Sequence, residues 1–237
     1  MNADMTLLAV TAASIGFFHT LLGPDHYIPF VAMSRARRWS LPKTMIVTTL
    51  CGLAHVLSSV VLGLIGIALG LAVSRLEAFE SFRGDLAAWA LTAFGFAYLV
   101  WGVHRAIRNR PHTHPHVHAD GTLHVHEHGH HSEHAHVHES HGRDSITPWV
   151  LFTVFVFGPC EPLIPILMYP AAHSSGMGML FITAIFALTT IATMLTVVVI
   201  SCAGLSRLSF GRMERYSHAL AGFAITACGF GVLFLGL

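Results

Sequence analysis

Four side chains able to bind a metal or move a proton, His19, Asp25, His26 and His55, sit inside stretches of the chain that are otherwise apolar. The segment SIGFFHTLLGPDHYIPFVAM carries the first three and interrupts itself at Gly23-Pro24. CGLAHVLSS sets Cys51, His55 and Ser59 at steps of four, one stripe of a helix. A second interruption, GPCEPLIP, brings Cys160 and Glu161 behind another Gly-Pro pair. Imidazole, carboxylate and thiolate together make a borderline-soft donor set, better matched to nickel, cobalt, zinc or copper than to magnesium or calcium. An ionised carboxylate in hydrocarbon costs about 2.5–3.5 kcal/mol, so Asp25 and Glu161 call for a cation or a water-filled cavity. No lysine or arginine in the apolar runs, as the sequence delimits them, supplies that charge; a bound metal ion would. A proton relay through Asp25, His26 and Glu161 is the plainer alternative, and His55 taken alone would equally suit a hydrogen bond to a neighbouring helix.

The elements that must position these groups are membrane helices. Of 237 residues, 54% are hydrophobic and 11% charged, far below the usual charged share of about a quarter. Runs of at least the roughly 20 apolar residues that cross hydrocarbon lie at about Met5–Met33, Thr44–Val73, Leu86–Ile107, Pro148–Ala171, Met177–Ala203 and Ser217–Leu237, which makes six spans. The first lacks a basic n-region and reads as a retained span, not a cleaved signal. A net charge of +1 gives no electrostatic case for nucleic acid. Eleven of the 13 basic residues fall in the connections after the first, third and fifth spans, against Arg75 and Arg83 on the other side. By the positive-inside rule those connections are cytosolic and both termini lie outside. The four cysteines are scattered singly and suggest no disulfide framework.

The two halves repeat. GPDHYIPFVAM (Gly23–Met33) overlays GPCEPLIPILM (Gly158–Met168) at an offset of 135, and AFGFAYLVWG (Ala93–Gly102) overlays ACGFGVLFLG (Ala227–Gly236) at 134. Three spans per unit is an odd number, so the second unit enters the membrane from the opposite side. The expected fold is therefore all-α and polytopic: six transmembrane helices forming two inverted three-helix repeats, 1–108 and 147–237, with broken first and fourth spans at the binding site. Thr190 aligns with His55 at the repeat offset, and the neighbouring Thr189, Thr193 and Thr196 read as helix-packing hydroxyls.

Between the units, 109–146 is a histidine-rich connection. His112, His114, His116, His118, His124, His126, His128, His130, His131, His134, His136, His138 and His141 make 13 of the protein's 19 histidines. The H-x-H alternation offers exchangeable imidazole pairs to a borderline metal and reads as an accessory, cytosolic metal-collecting segment without regular structure, Gly121 to Glu127 included. A pH-responsive polar linker is the alternative.

HTLLGPDH, GLAHVLSSVV, GPCEPLIP and the histidine-rich connection together resemble the NicO group of nickel/cobalt transporters, the UreH-like and RcnA-like membrane proteins. The resemblance covers nearly the whole chain. It implies a nickel- or cobalt-selecting role for His19, Asp25, His26 and His55. Five residues, Thr20 to Pro24, separate His19 from Asp25, one more than in the related nickel permeases. GPCEPLIP also resembles the cysteine element of CcdA-type thiol carriers, but Asp25 stands where their second thiol would be. Kinship between UreH-like proteins and TauE/SafE-like sulfite or organic-anion exporters keeps an anion cargo in play.

The sequence thus points to a secondary transporter, not an enzyme, in the inner membrane of a bacterium. Its cargo is a divalent transition metal, nickel or cobalt first, with no permanently bound cofactor. Asp25 and Glu161 are expected to neutralise the ion, with His19, His26, His55 and Cys160 as softer donors. A cytosolic metallochaperone is a candidate partner, and no GxxxxGK[ST] motif is present to bind ATP.

Overall fold

The computed structural model describes residues 3–108, 112–117, 123–128, 146–158, 160, 162–166, 176–207 and 211–235. Its body is helical. Helix α1 (Ala3–Leu22) ends at Gly23, and a single 3-10 turn, Pro24–His26, leads into α2 (Ile28–Arg37). Helices α3 (Leu41–Ala68) and α4 (Val73–Arg108) follow. In the second half α5 (Ile146–Phe157) stops at the second Gly-Pro, a helical turn occupies 163–166, and α6 (Gly176–Ser206) and α7 (Ser217–Leu235) complete the bundle. Among the described residues, five helices are long and apolar enough to cross a membrane: α1, α3, α4, α6 and α7 with its preceding turn. The fourth apolar run instead holds the short α5, because Pro159 has no N–H to continue the ladder.

Polarity is arranged as a bilayer requires. Leu7, Val10, Ile46, Leu50, Leu57, Leu188 and Ile200 are exposed on the outside, while Thr20, His26, Thr44, Thr48, His55, Ser59 and Glu80 are buried within. Helix α1 packs on α6, α3 on α5, and α4 along α7. The α4–α7 seam runs antiparallel and is built from small residues. A Cβ on Gly95 would strike Thr226, one on Gly229 would strike Thr92, and one on Gly102 would strike Ala219. Close backbone approach of this kind is how helices associate where lipid removes the hydrophobic driving force.

Two sequence expectations are corrected. The third span does not begin at Leu86: α4 starts at Val73, which draws Arg75, Glu77, Glu80, Arg83 and Asp85 into the helix. In the connection, where no regular structure was expected, His112–Val117 pairs antiparallel with Leu123–His128, with His112 opposite His128, His114 opposite His126 and His116 opposite His124. Alternation of period two is also a strand pattern, and Asp120-Gly121 between the two runs is a hairpin signal. The other seven loop histidines, His118, His130, His131, His134, His136, His138 and His141, lie outside the described residues, as does Glu161.

Candidate metal centre

The break at Gly23 brings His26 back toward His19. A continuous helix would put them two turns apart along one axis, but the extended Gly23 redirects the chain, and their ring centroids stand 4.8 Å apart at 80°. From α3, His55 completes the group, 5.1 Å from His26 and 6.5 Å from His19. The donor nitrogens of the three rings all lie within 4.8 Å of one another.

What these nitrogens lack matters more than their spacing. His26 and His55 are each 2% exposed. Nε2 of His19, Nε2 of His26 and both ring nitrogens of His55 are buried without a hydrogen bond of normal geometry among the described residues, with the Phe155 backbone close enough to His55 to interact with its ring. Leaving a buried polar atom unpaired costs on the order of 1–3 kcal/mol. Apart from the hydroxyls of Thr48 and Thr190, all such atoms among the described residues belong to this cluster. Three imidazoles gathered in this way could hold a metal ion. On one ion at the usual 2.0–2.1 Å, three imidazole nitrogens stand about 3.0–3.4 Å apart. Ring rotations closing the widest spacing by about 1.5 Å therefore suffice.

Asp25, expected from the sequence to neutralise the ion, stands beside His26. Its Oδ1 lies 3.0 Å from His26 Nδ1, and Gly23 O lies 3.2 Å from the same nitrogen. Both neighbours are acceptors, so Nδ1 holds the proton and donates it, which leaves a lone pair on Nε2 facing the cluster. A carboxylate behind a ligating histidine fixes its tautomer and raises its basicity. Gly23 leaves room for this packing: a Cβ there would lie 2.6 Å from His26 Nδ1 and 2.9 Å from Asp25 Oδ1, so those side chains would have to shift.

The second break abuts the same centre from the other side. A Cβ on Gly158 would lie 3.1 Å from His55 Nδ1. Phe155, one turn earlier, packs its ring 6.1 Å from His55 and 4.8 Å from Phe30. A cavity of about 920 Å³ opens on the cluster, bordered by His19, Asp25, His26, His55 and the exposed Asp85, with no lysine or arginine among the described residues of its lining.

Cys160 is not drawn into this group. Its side chain is fully buried in an apolar cluster with Ala12, Val56, Leu163, Ile182 and Phe186. Its backbone explains why: the Cys160 N–H donates to Glu80 Oε2 at 3.1 Å and to Ser59 Oγ at 3.2 Å. Ser59 Oγ itself donates to Glu80 Oε2, and Arg83 Nη1 pairs with Glu80 Oε1. Arg83 Nη2 donates to Ser58 Oγ and to Val156 O, both at 2.9 Å. Glu80 and Arg83 escaped the sequence reading because the apolar run was started at Leu86, and Arg83 was counted among residues facing water. The available signal was the i,i+3 acid–base pair on an otherwise amphiphilic α4.

The chain matches no family model, no curated protein and no solved structure.

Proposed function

We propose that the protein is a secondary transporter that carries a divalent transition metal, nickel or cobalt first, through a three-imidazole centre formed by His19, His26 and His55. The observation that carries this reading is the gathering, in one cluster, of four buried ring nitrogens that make no hydrogen bond of normal geometry among the described residues. Three nitrogen donors leave coordination positions open, which suits an ion that must arrive and leave; structural sites close all four. Nitrogen donors favour nickel, cobalt, zinc or copper over magnesium and calcium. The loop histidines serve as an accessory reservoir for the same ion, and lipid and metal are the contacts the proposal requires.

The inverted-repeat architecture belongs to the same proposal, and the packing supports it. If α1 and α5 are equivalent, and α3 and α6, then α1 on α6 and α3 on α5 are the same contact made twice. Gly95 against Thr226 and Gly229 against Thr92 are likewise reciprocal at the offset of 134, across antiparallel helices. Reciprocal contacts are what a two-fold axis generates, and such an axis in the membrane plane underlies alternating access. The two breaks meeting at one centre fit that scheme. The orientation proposed puts the histidine-rich connection in the cytosol and both termini outside, in a bacterial inner membrane.

A cavity lined by no basic side chain among the described residues disfavours an anion cargo, and Cys160 enclosed in an apolar cluster disfavours thiol exchange. The test is flux of cobalt and nickel into proteoliposomes holding the full chain. Saturable flux that disappears in H55A is expected. Equal flux in wild type, H55A and empty vesicles would end the proposal.

A further inference from the structure

Every helix break orphans a carbonyl behind it and an amide ahead of it, and in a membrane neither can turn to water. At the second break, Val156 O has no N–H four residues on to accept from, because Cys160 N–H points elsewhere. Both orphans are satisfied from α4, and by opposite charges. Arg83 donates to Val156 O, on the near side of the break; Glu80 accepts from Cys160 N–H, on the far side. The two charges neutralise each other by a direct pair and are tied to α3 through Ser58 and Ser59. Glu80 is fully buried and Arg83 is 9% exposed. Between the two held atoms lies Gly158, the residue against His55 Nδ1.

We infer that Glu80 and Arg83 are positioning residues for the metal centre: a two-charge clamp that spans the second break and holds Gly158 against His55. The inference rests on the metal-centre reading above. A buried pair kept only for cohesion would be replaceable by any pair of equal shape or reversed sign, because apolar replacement of a buried ion pair is often neutral for stability. The clamp is not replaceable in that way. A donor must face Val156 O and an acceptor must face Cys160 N–H, so polarity matters as well as neutrality.

Four full-length variants separate these cases: the double E80M/R83M, the charge-swapped E80R/R83E, the conservative R83K and H55A as the background for metal held by the loop histidines. Cobalt(II) is titrated into each, its d–d spectrum is recorded, and labelling of Cys160 by a maleimide is followed by peptide mass spectrometry. Expected are a ten- to hundredfold weaker cobalt affinity in both doubles, the range for groups that orient metal ligands, an altered spectrum, and Cys160 labelled where the wild type is inert. R83K, which keeps the charge but not the fork, falls between. Wild-type affinity and spectrum in E80M/R83M, or restoration of both by the swap, would overturn the clamp while leaving the metal centre standing. Should a double fail to fold, R83K decides: wild-type affinity with an unlabelled Cys160 counts against the clamp. Wild type that binds no cobalt beyond the H55A background refutes the metal centre, and Cys160 labelling still judges the clamp.

Discussion

The two Gly-Pro breaks start from nearly the same letters and do opposite work. The first supplies chemistry and is held by its own stretch of chain: Gly23 N–H donates to His19 O, His26 N–H to Gly23 O, Tyr27 N–H to Pro24 O, and the Tyr27 hydroxyl to Leu21 O at 3.5 Å. It spends its side chains, His26 and Asp25, on the centre. The second, among the described residues, contributes no ligand to the histidine cluster and cannot satisfy itself, and it borrows Glu80, Arg83 and two serines to do so. The difference teaches that two breaks alike in sequence can be divided between binding and support. Asp25 and Cys160, which follow the two Gly-Pro pairs at the same distance, differ accordingly: one is hydrogen-bonded to a histidine at a cavity, the other is sealed in an apolar cluster.

The comparison can be broken most sharply at the ligands. H26A or H55A removes one of three donors and is expected to weaken nickel or cobalt binding by about a hundredfold or more, beyond the range for orienting groups; equilibrium titration measures it. Next comes D25N, which leaves an oxygen to accept from His26 but removes the charge, and should cost about ten- to hundredfold in affinity. Alanine at each glycine tests the asymmetry directly. G23A forces a carbon to 2.6 Å from His26 Nδ1 and is expected to cost about tenfold in affinity, the scale of an overpacked site. G158A meets its nearest atom at 3.1 Å and should cost about threefold or less. Equal losses in the two would erase the distinction between a ligand-bearing and a supporting break. Smallest of all is C160S, for which metal affinity and flux should stay within about twofold, since a buried Cys is normally a packing residue. Abolished activity in C160S with D25N unaffected would instead favour a thiol carrier.

How much of this was legible in the sequence follows from which interactions are local. The helical class, the broken first run and the singling out of His19, Asp25, His26 and His55, which the structure gathers, all came from residues near one another in the chain or from a helical stripe. The assignment of Asp25 as orienter was not legible, because it depends on which acceptors surround His26 Nδ1 in three dimensions. Nor was the clamp. Glu80 and Arg83 look like the solvated start of a span when only hydropathy is summed, and their partners Val156 and Cys160 lie more than 70 residues away. The hairpin was missed for another reason: histidines at alternate positions signal metal binding and strand pairing alike, and composition was weighed above period.

The central claim is that His19, His26 and His55 hold one transition-metal ion. The most direct measurement is X-ray absorption and equilibrium titration of nickel or cobalt on the full-length chain with its thirteen loop histidines replaced by asparagine. The account predicts one ion per chain with three imidazoles in its coordination shell, lost in H55A. No stoichiometric ion, or a shell without imidazole that H55A leaves unchanged, would contradict it.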